Sequence, residues 1–293
     1  MRLFRNVLWA SLLALAAPQA QAAAAAVVEG MQMPAWVERN VLGSVRRAPL
    51  APGVELRSGD ELRTGAGARL YVRLAEGSVV KLGEKASMRI AELAPDRGGV
   101  FAAALNVLEG AFRFTTDVLG KPRRRDVSIR VATVTAGIRG TDLWGKSVPE
   151  RQVVCLIEGR IEVGAEGEAP VTMDQPRQFY QRDNGRTQPV GFVDPVQLAQ
   201  WARETEIAEG GGAARRDGKW RLTLARAKTQ AAALELYDRL RDAGYAARIH
   251  PTMAGDARVY LVQISRLASR ADAEALREQL RGMAGVVDPS VSL

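Results

Sequence analysis

The chain has 293 residues, 47% of them hydrophobic and 25% charged, with a formal net charge of +8 and one cysteine. That is the composition of a globular protein long enough for two ordinary cores, and it excludes an intrachain disulfide. The excess of cations favours anionic partners.

Residues 1–22 read as an export address. Arg2 and Arg5 give a positive start, Val7 to Ala17 an apolar run, and Ala20-Gln21-Ala22 a small-x-small cleavage site. The run is shorter than the roughly 20 residues that a spanning helix needs, so cleavage after Ala22 is expected, an uncleaved anchor being the alternative. No later stretch approaches a membrane span, and the mature chain is expected to be soluble and exported. Residues 23–43 open with an alanine tract and mix polar and apolar residues around Pro34 and Trp36. They read as a linker or loosely docked arm.

Residues 44–192 read as strand after strand. Leu56 and Leu62 flank the turn Ser58-Gly59-Asp60. Leu70, Val72 and Leu74 alternate with Arg69, Tyr71 and Arg73, ahead of a Glu76-Gly77 turn and a strand from Ser78 to Leu82. Further strands are expected at Ser87–Leu93, Leu105–Leu108, Ala111–Thr115, Val127–Val134, Gln152–Ile157 and Arg160–Val163. Glycine turns separate most of them and no long helical period intervenes, which predicts an all-β domain, sandwich or solenoid-like. Cys155 lies in the apolar run Val153–Ile157 and is expected to be a buried thiol.

Within this domain the run from Val131 through Thr135-Ala136-Gly137-Ile138-Arg139-Gly140-Thr141-Asp142 to Trp144 resembles the signature of the FecR domain. Glu76-Gly77-Ser78 and Glu158–Val163 fall where that family has its other glycine-turn strands, and the resemblance spans roughly residues 60–170. Gly137 and Gly140 suit a tight crossover. Arg139 between them has two readings, a clamp on a ligand carboxylate or a pin on backbone carbonyls, of which the second is favoured. Lys121 and Arg123–Arg125 form the densest basic run. They read as a solvated hairpin loop, the functional alternative being contact with anionic lipid or wall polymer.

Residues 193–218 are a helix and a tether. Asp194-Pro195 is a cap followed by proline in the first turn, and Leu198, Trp201 and Thr205 fall on one side, so Trp201 is expected to dock on the β domain. Gly210-Gly211-Gly212 and the alanines after it read as a flexible tether.

Residues 219–293 contain one unit written twice. Trp220, Leu222 and Leu224 recur as Tyr260, Val262 and Ile264, in the alternation of a strand packed on one face. Thr229 and Ser269 stand where helix caps are wanted, and Ala233, Leu236 and Leu240 recur as Ala273, Leu276 and Leu280 at helical spacing. Tyr245–His250 and Val286–Val291 follow as second strands. Strand-helix-strand twice predicts one antiparallel sheet with both helices on one face, a ferredoxin-like βαββαβ fold. The face without helices then carries Arg221, Thr223, Leu261 and Gln263. It is a candidate binding platform, or else simply a solvated sheet face.

The stretches Trp220–Leu224, Gly244-Tyr245, Tyr260–Ile264 and Ser269–Leu276 resemble the SPOR domain over about 75 residues. That resemblance implies binding of peptidoglycan glycan strands stripped of stem peptides, with Arg221, Thr223, Leu261 and Gln263 as the glycan-binding residues, and it makes the address the periplasm of a Gram-negative cell. The unit holds twelve Lys/Arg against eight Asp/Glu, half of the chain's excess charge.

Catalytic chemistry is not legible. The single histidine, His250, sits beside Pro251 and far from Cys155, and no Cys/His/carboxylate spacing points to a metal or a cofactor. A carboxylate pair for glycoside hydrolysis is not identifiable, since the acids fall mostly in turns and in paired helix faces such as Glu235 with Arg239. Nucleic acid is disfavoured by the export address and by the lack of stacking aromatics on the expected sheet face. The expected protein is therefore a non-enzymatic periplasmic binder of glycan strands, whose β domain serves as a scaffold or docks an envelope protein. A FecR-type signalling regulator and an accessory to a wall-cleaving enzyme, or less favoured such an enzyme itself, are the competing readings.

Overall fold

The structure, a computed structural model, describes residues 24–97, 100–116, 124–138 and 140–293. The expected export signal, Lys121, Arg123 and Arg139 lie outside the described residues. The first half of the β region contains β1 (Ala26–Gln32), β2 (Ala35–Val41), β3 (Ser44–Pro49), β4 (Glu55–Leu56), β5 (Glu61–Thr64), β6 (Arg69–Leu74), β7 (Val79–Leu82), β8 (Ser87–Arg97) and β9 (Val100–Thr115). The second half contains β10 (Arg124–Val131), β11 (Val134–Ile138), β12 (Asp142–Val148), β13 (Arg151–Glu158), β14 (Ile161–Ala165), β15 (Val171–Met173), β16 (Gln178–Asp183), β17 (Arg186–Thr187) and β18 (Gly191–Phe192). Helix α1 (Pro195–Arg203) and the short β19 (Ala213–Arg215) lead to the terminal unit, β20 (Trp220–Ala227), α2 (Gln230–Asp242), β21 (Arg248–Ala254), β22 (Ala257–Leu267), α3 (Arg270–Leu280) and β23 (Ser290–Ser292). The chain is thus mostly sheet with few helices.

The β region forms two sheets that share one strand. In one, the order is β16-β13-β12-β9-β7-β6-β1. In the other, it is β3-β2-β5-β8-β9-β10-β11-β14-β15. β9 changes sheets near Gly110, so the strands expected at Leu105–Leu108 and Ala111–Thr115 are two arms of one bent strand. The strand expected at Val127–Val134 is instead a hairpin, β10 and β11, turning at Ala132 with φ 51°. The run after it leaves β11 at Ile138 and enters β12 at Asp142, crossing from one sheet to the other as the glycines suggest. Alternate residues of both sheets, among them Leu70, Val72, Phe112, Ile129, Val134 and Val163, join one buried cluster. Cys155 is buried, and burial pushes its thiol up to about 12.

Two expectations need correction. Residues 23–43 are not a loose arm: most of them lie in β1 and β2. β1 pairs with β6 along its length and buries Ala26, Val28, Met31 and Gln32, while cis Met33–Pro34 turns the chain into β2. The stretch buries its backbone between partners remote in sequence, β6 on one side and β19 on the other, which an alanine-rich composition does not reveal.

Nor is the glycine run a free tether. Gln32 Nε2 donates to the Gly211 carbonyl at 2.7 Å, and Gln32 Oε1 accepts from the Ala208 N–H at 3.1 Å. A Cβ on Gly211 would stand 2.2 Å from Gln32 Nε2, so glycine is there to let the chain approach closely. β19 then pairs Gly30, Met31 and Gln32 of β1 on one side and bridges Leu267 of β22 on the other through Ala214. The terminal unit is docked, not suspended.

Ahead of that strand, α1 is capped as expected by Asp194, whose carboxylate accepts from the N–H groups of Val196 and Gln197. Trp201 stacks on Trp144 of β12 with ring centroids 4.7 Å apart and 8° between planes, and meets Phe179 edge-on.

Candidate functional site

The terminal unit places its strands in the order β23-β20-β22-β21, all antiparallel. Thr229 and Ser269 cap α2 and α3, and Ala233, Leu236, Leu240, Ala273, Leu276 and Leu280 are all buried against the sheet. Tyr245 and Ala247, expected within a strand, are buried in the connection before β21, and most of the stretch from Val286 is likewise connection before β23.

Partners directly opposite in an antiparallel ladder share a face, so the register defines the face away from the helices. Arg221 lies opposite Ser292, Thr223 lies opposite both Ser290 and Gln263, and Gln263 lies opposite Arg248. Leu261 lies opposite Arg226 and His250. A bulge between Thr223 and Ala225 lets Leu224 and Ala225 both be buried before Arg226 returns to the open side.

All four residues expected on this face are therefore brought together. Gln263 Nε2 donates to Thr223 Oγ1 at 2.8 Å, Leu261 is half-buried, and Arg221 is exposed and donates to the carbonyl oxygen of Leu293. Thr223 departs from the solvent-facing expectation: it is 5% exposed, because it sits on a central strand with β22 on one side and β23 on the other. It forms the floor of the face, with Gln263 above it as the accessible amide.

The register adds residues that pattern reading did not single out. Arg226 and Arg248 are exposed, and neither has a carboxylate within ion-pair distance among the described residues. None of the strands β20, β21, β22 and β23 contains an Asp or Glu. The acids of the unit lie mainly on the helices, where Arg239 pairs with Glu235, Arg241 with Asp238, Arg277 with Glu274 and Arg281 with Glu278. The helix side is thus neutralised locally while the sheet side is left cationic. At the β21 edge of the sheet the terminal unit meets the β region in a cleft of about 240 Å³ lined by Pro52, Tyr237 of α2, Arg248, Ile264 and Arg266, where the Arg266 guanidinium donates to the Pro52 carbonyl.

A second cluster of charged groups lies on the outer side of the β region. Tyr71 is opposite Lys81 and Lys81 opposite Arg113, so the three form one row across β6, β7 and β9. Glu206 closes on that row from the segment after α1. Lys81 Nζ stands 2.7 Å and Arg113 Nη1 3.1 Å from its Oε1, and the Tyr71 hydroxyl donates to its Oε2 at 2.6 Å. Burial acts to raise the Glu206 carboxyl, but hydrogen bonds from Lys81 and Tyr71 and the two cations hold it below the usual carboxylate range. Burial, and then the bond to Glu206, push the Tyr71 phenol above its ordinary value. Arg113 also forks onto Asp142 at 2.9 and 2.6 Å. These groups are engaged with one another and fasten the segment after α1 to the β region.

A family model described as "SPOR domain" matches residues 217–291, and one described as "FecR protein" matches residues 60–162. No curated protein matches the chain. Two crystal structures described as "a putative anti-sigma factor from Parabacteroides distasonis ATCC 8503", at 1.65 and 2.50 Å resolution, are similar at 17% identity with a TM-score of 0.40. They cover 75% of this chain and 91% and 90% of their own. Among the described residues no helix is long and apolar enough to cross a membrane.

Proposed function

We propose that this chain, which carries a FecR domain and a C-terminal SPOR domain, is a non-enzymatic binding protein of the periplasm that holds peptidoglycan glycan through the open face of its terminal sheet. The terminal unit is read as the ferredoxin-like arrangement and the β region as a two-sheet sandwich that serves as scaffold or partner-binding module. The observation that carries the reading is the face free of Asp and Glu on which Arg221, Arg226 and Arg248 surround the Thr223–Gln263 pair. A glycan strand stripped of stem peptides offers hydroxyls and lactyl carboxylates. An amide and unpaired guanidiniums suit both, because Gln both donates and accepts while Arg binds carboxylates in a fork.

The test is co-sedimentation of the mature chain with amidase-treated wall sacculi against untreated ones. Arg248 is exposed and without an ion pair, so Arg248→Ala should change stability by no more than about 0.5 kcal/mol. Its binding should fall about tenfold or more, since a hydrogen bond to a charged group contributes roughly 1.5–3 kcal/mol. Gln263→Ala should act in the same direction, while Leu236→Ala, in the core, should lose binding only by unfolding. Equal pelleting of wild type, Arg248→Ala and Gln263→Ala would refute the reading. The FecR match also fits a regulatory role in which glycan binding is the input. A protein partner recovered with the mature chain but lost when the β region is altered would favour that second reading.

A further inference from the structure

Leu42 and Val45, at the tip of the β2–β3 hairpin, are the two most exposed large apolar side chains among the described residues, at 101% and 71%. The hairpin register ends with Asn40 opposite Val45 and Val41 opposite Ser44, leaving Leu42 and Gly43 as the two turn residues, with φ of 51° and 82°. A two-residue turn with both φ values positive favours Asn, Asp or Gly at its first position. Leucine there meets a steric penalty and is fully hydrated besides. Asn40 Oδ1 accepts from the Gly43 N–H at 2.9 Å, so the turn is held and Leu42 is presented on a firm peg.

The charges behind the tip have one sign free. Arg39 is neutralised by a fork onto Asp60, with both bonds at 2.6 Å. Arg46, opposite Arg39, is exposed and has no ion pair among the described residues. Arg47 lies over the Trp36 ring at 4.2 Å and 3.8 Å from Glu38. An apolar tip with an unpaired guanidinium one residue behind Val45 matches the boundary of an anionic bilayer, where leucine enters among the acyl chains and arginine stays with the phosphates.

We propose that the β2–β3 hairpin docks on anionic lipid, with Leu42 and Val45 inserted and Arg46 at the headgroups. The inference is independent of the glycan reading, because it uses a different part of the chain. The first test is flotation of the mature chain with mixed phosphatidylethanolamine–phosphatidylglycerol vesicles and with neutral phosphatidylcholine vesicles. Wild type should float with the anionic vesicles only. Leu42→Asn suits the turn and keeps every charge, so it should melt like wild type yet bind about tenfold more weakly. Arg46→Glu should lose binding as well. The second test places an environment-sensitive dye at Leu42→Cys, which is selective because the native Cys155 is buried. Its emission should shift to the blue with anionic vesicles, whereas the same dye at Ala257→Cys, on the exposed β21–β22 hairpin, should not shift. Flotation of Leu42→Asn equal to wild type, or no shift at Leu42→Cys, would overturn the proposal. The latter outcome would leave a protein pocket as the place for the tip.

Discussion

The two copies of the repeated unit cap their helices alike, but only one cap also holds the β region, and mutation should separate the two roles. Thr229 is exposed and accepts one bond, from the Ala232 N–H at 3.3 Å. In the second copy the Ser269 hydroxyl accepts from the Asp272 N–H at 3.1 Å and donates to Asp272 Oδ2 at 2.6 Å. The other carboxylate oxygen, Oδ1, accepts from the Ala213 N–H of β19 at 2.9 Å. Asp272 and Ala213 are each 3% exposed, so no water can replace that acceptor. Thr229→Ala should cost about 0.5–1 kcal/mol, the ordinary loss of an exposed cap. Asp272→Ala forfeits a bond of about 1 kcal/mol and strands a buried N–H at a further 1–3 kcal/mol, so about 2–4 kcal/mol is expected. Asp272→Asn retains a carbonyl acceptor and should recover part of the loss. Urea denaturation measures the energies, and a trypsin time course reads cleavage at Arg215 and Arg216. Wild type and Thr229→Ala should resist cleavage there while Asp272→Ala is cut early. Equal destabilisation by Thr229→Ala and Asp272→Ala, or equal resistance to trypsin, would refute the reasoning.

Glu206 sits below its ordinary carboxylate value in the folded protein, so its contribution is present above the unfolded value and lost as pH falls through the folded one. Glu206→Gln should therefore flatten the acid side of the stability profile in thermal melts, and an unchanged acid limb would count against the fastening role. Trp201→Ala removes the ring stacked on Trp144 and should cost about 2–3 kcal/mol. Because Trp201 packs against the cluster that contains Cys155, the same variant should speed reaction of that thiol with a labelling reagent. Gly110→Ala should lose about 2–5 kcal/mol in denaturant melts: φ there is +85°, and a Cβ would stand 2.6 Å from Cα and Cβ of Ala86.

Legibility followed how local each signal is. The terminal unit was readable because its evidence recurs at close range. Caps at Thr229 and Ser269 precede apolar residues at helical spacing, and Leu222 and Val262 alternate as strands do. Asp194-Pro195 marked α1 in the same way. The four face residues were placed by alternation alone, whereas Arg226 and Arg248 needed the bulge and the ladder register, which no local pattern encodes. β1 lacks a strand's alternation because Met31, Gln32 and Met33 are consecutively buried, so the period of two is lost. Gly210–Gly212 misled by composition. Glycine serves flexibility in a linker and close approach in a packed segment, and only the amide of Gln32 tells which applies.

The unequal seams of β19 have a mechanical consequence. A load applied to the open sheet face is passed to the β region through this three-residue strand and through direct bonds from the Trp36 indole to the Asp242 carbonyl, from the Ala35 N–H to the Gly244 carbonyl and from Arg266 to the Pro52 carbonyl. On one side the strand has a ladder to Gly30, Met31 and Gln32, extended by the bond from the Arg216 N–H to the Glu29 carbonyl. On the other side it has the Ala214–Leu267 bridge, the bond from the Ala268 N–H to the Ala213 carbonyl and the Asp272 carboxylate. Backbone bonds in such a ladder share a force along the strand, and the longer ladder shares it among more of them. Once those direct bonds give way under tension, the terminal unit should part from β19 while β19 stays with β1, and the freed length of chain from Arg216 to Lys219 then becomes a leash that keeps the two halves joined.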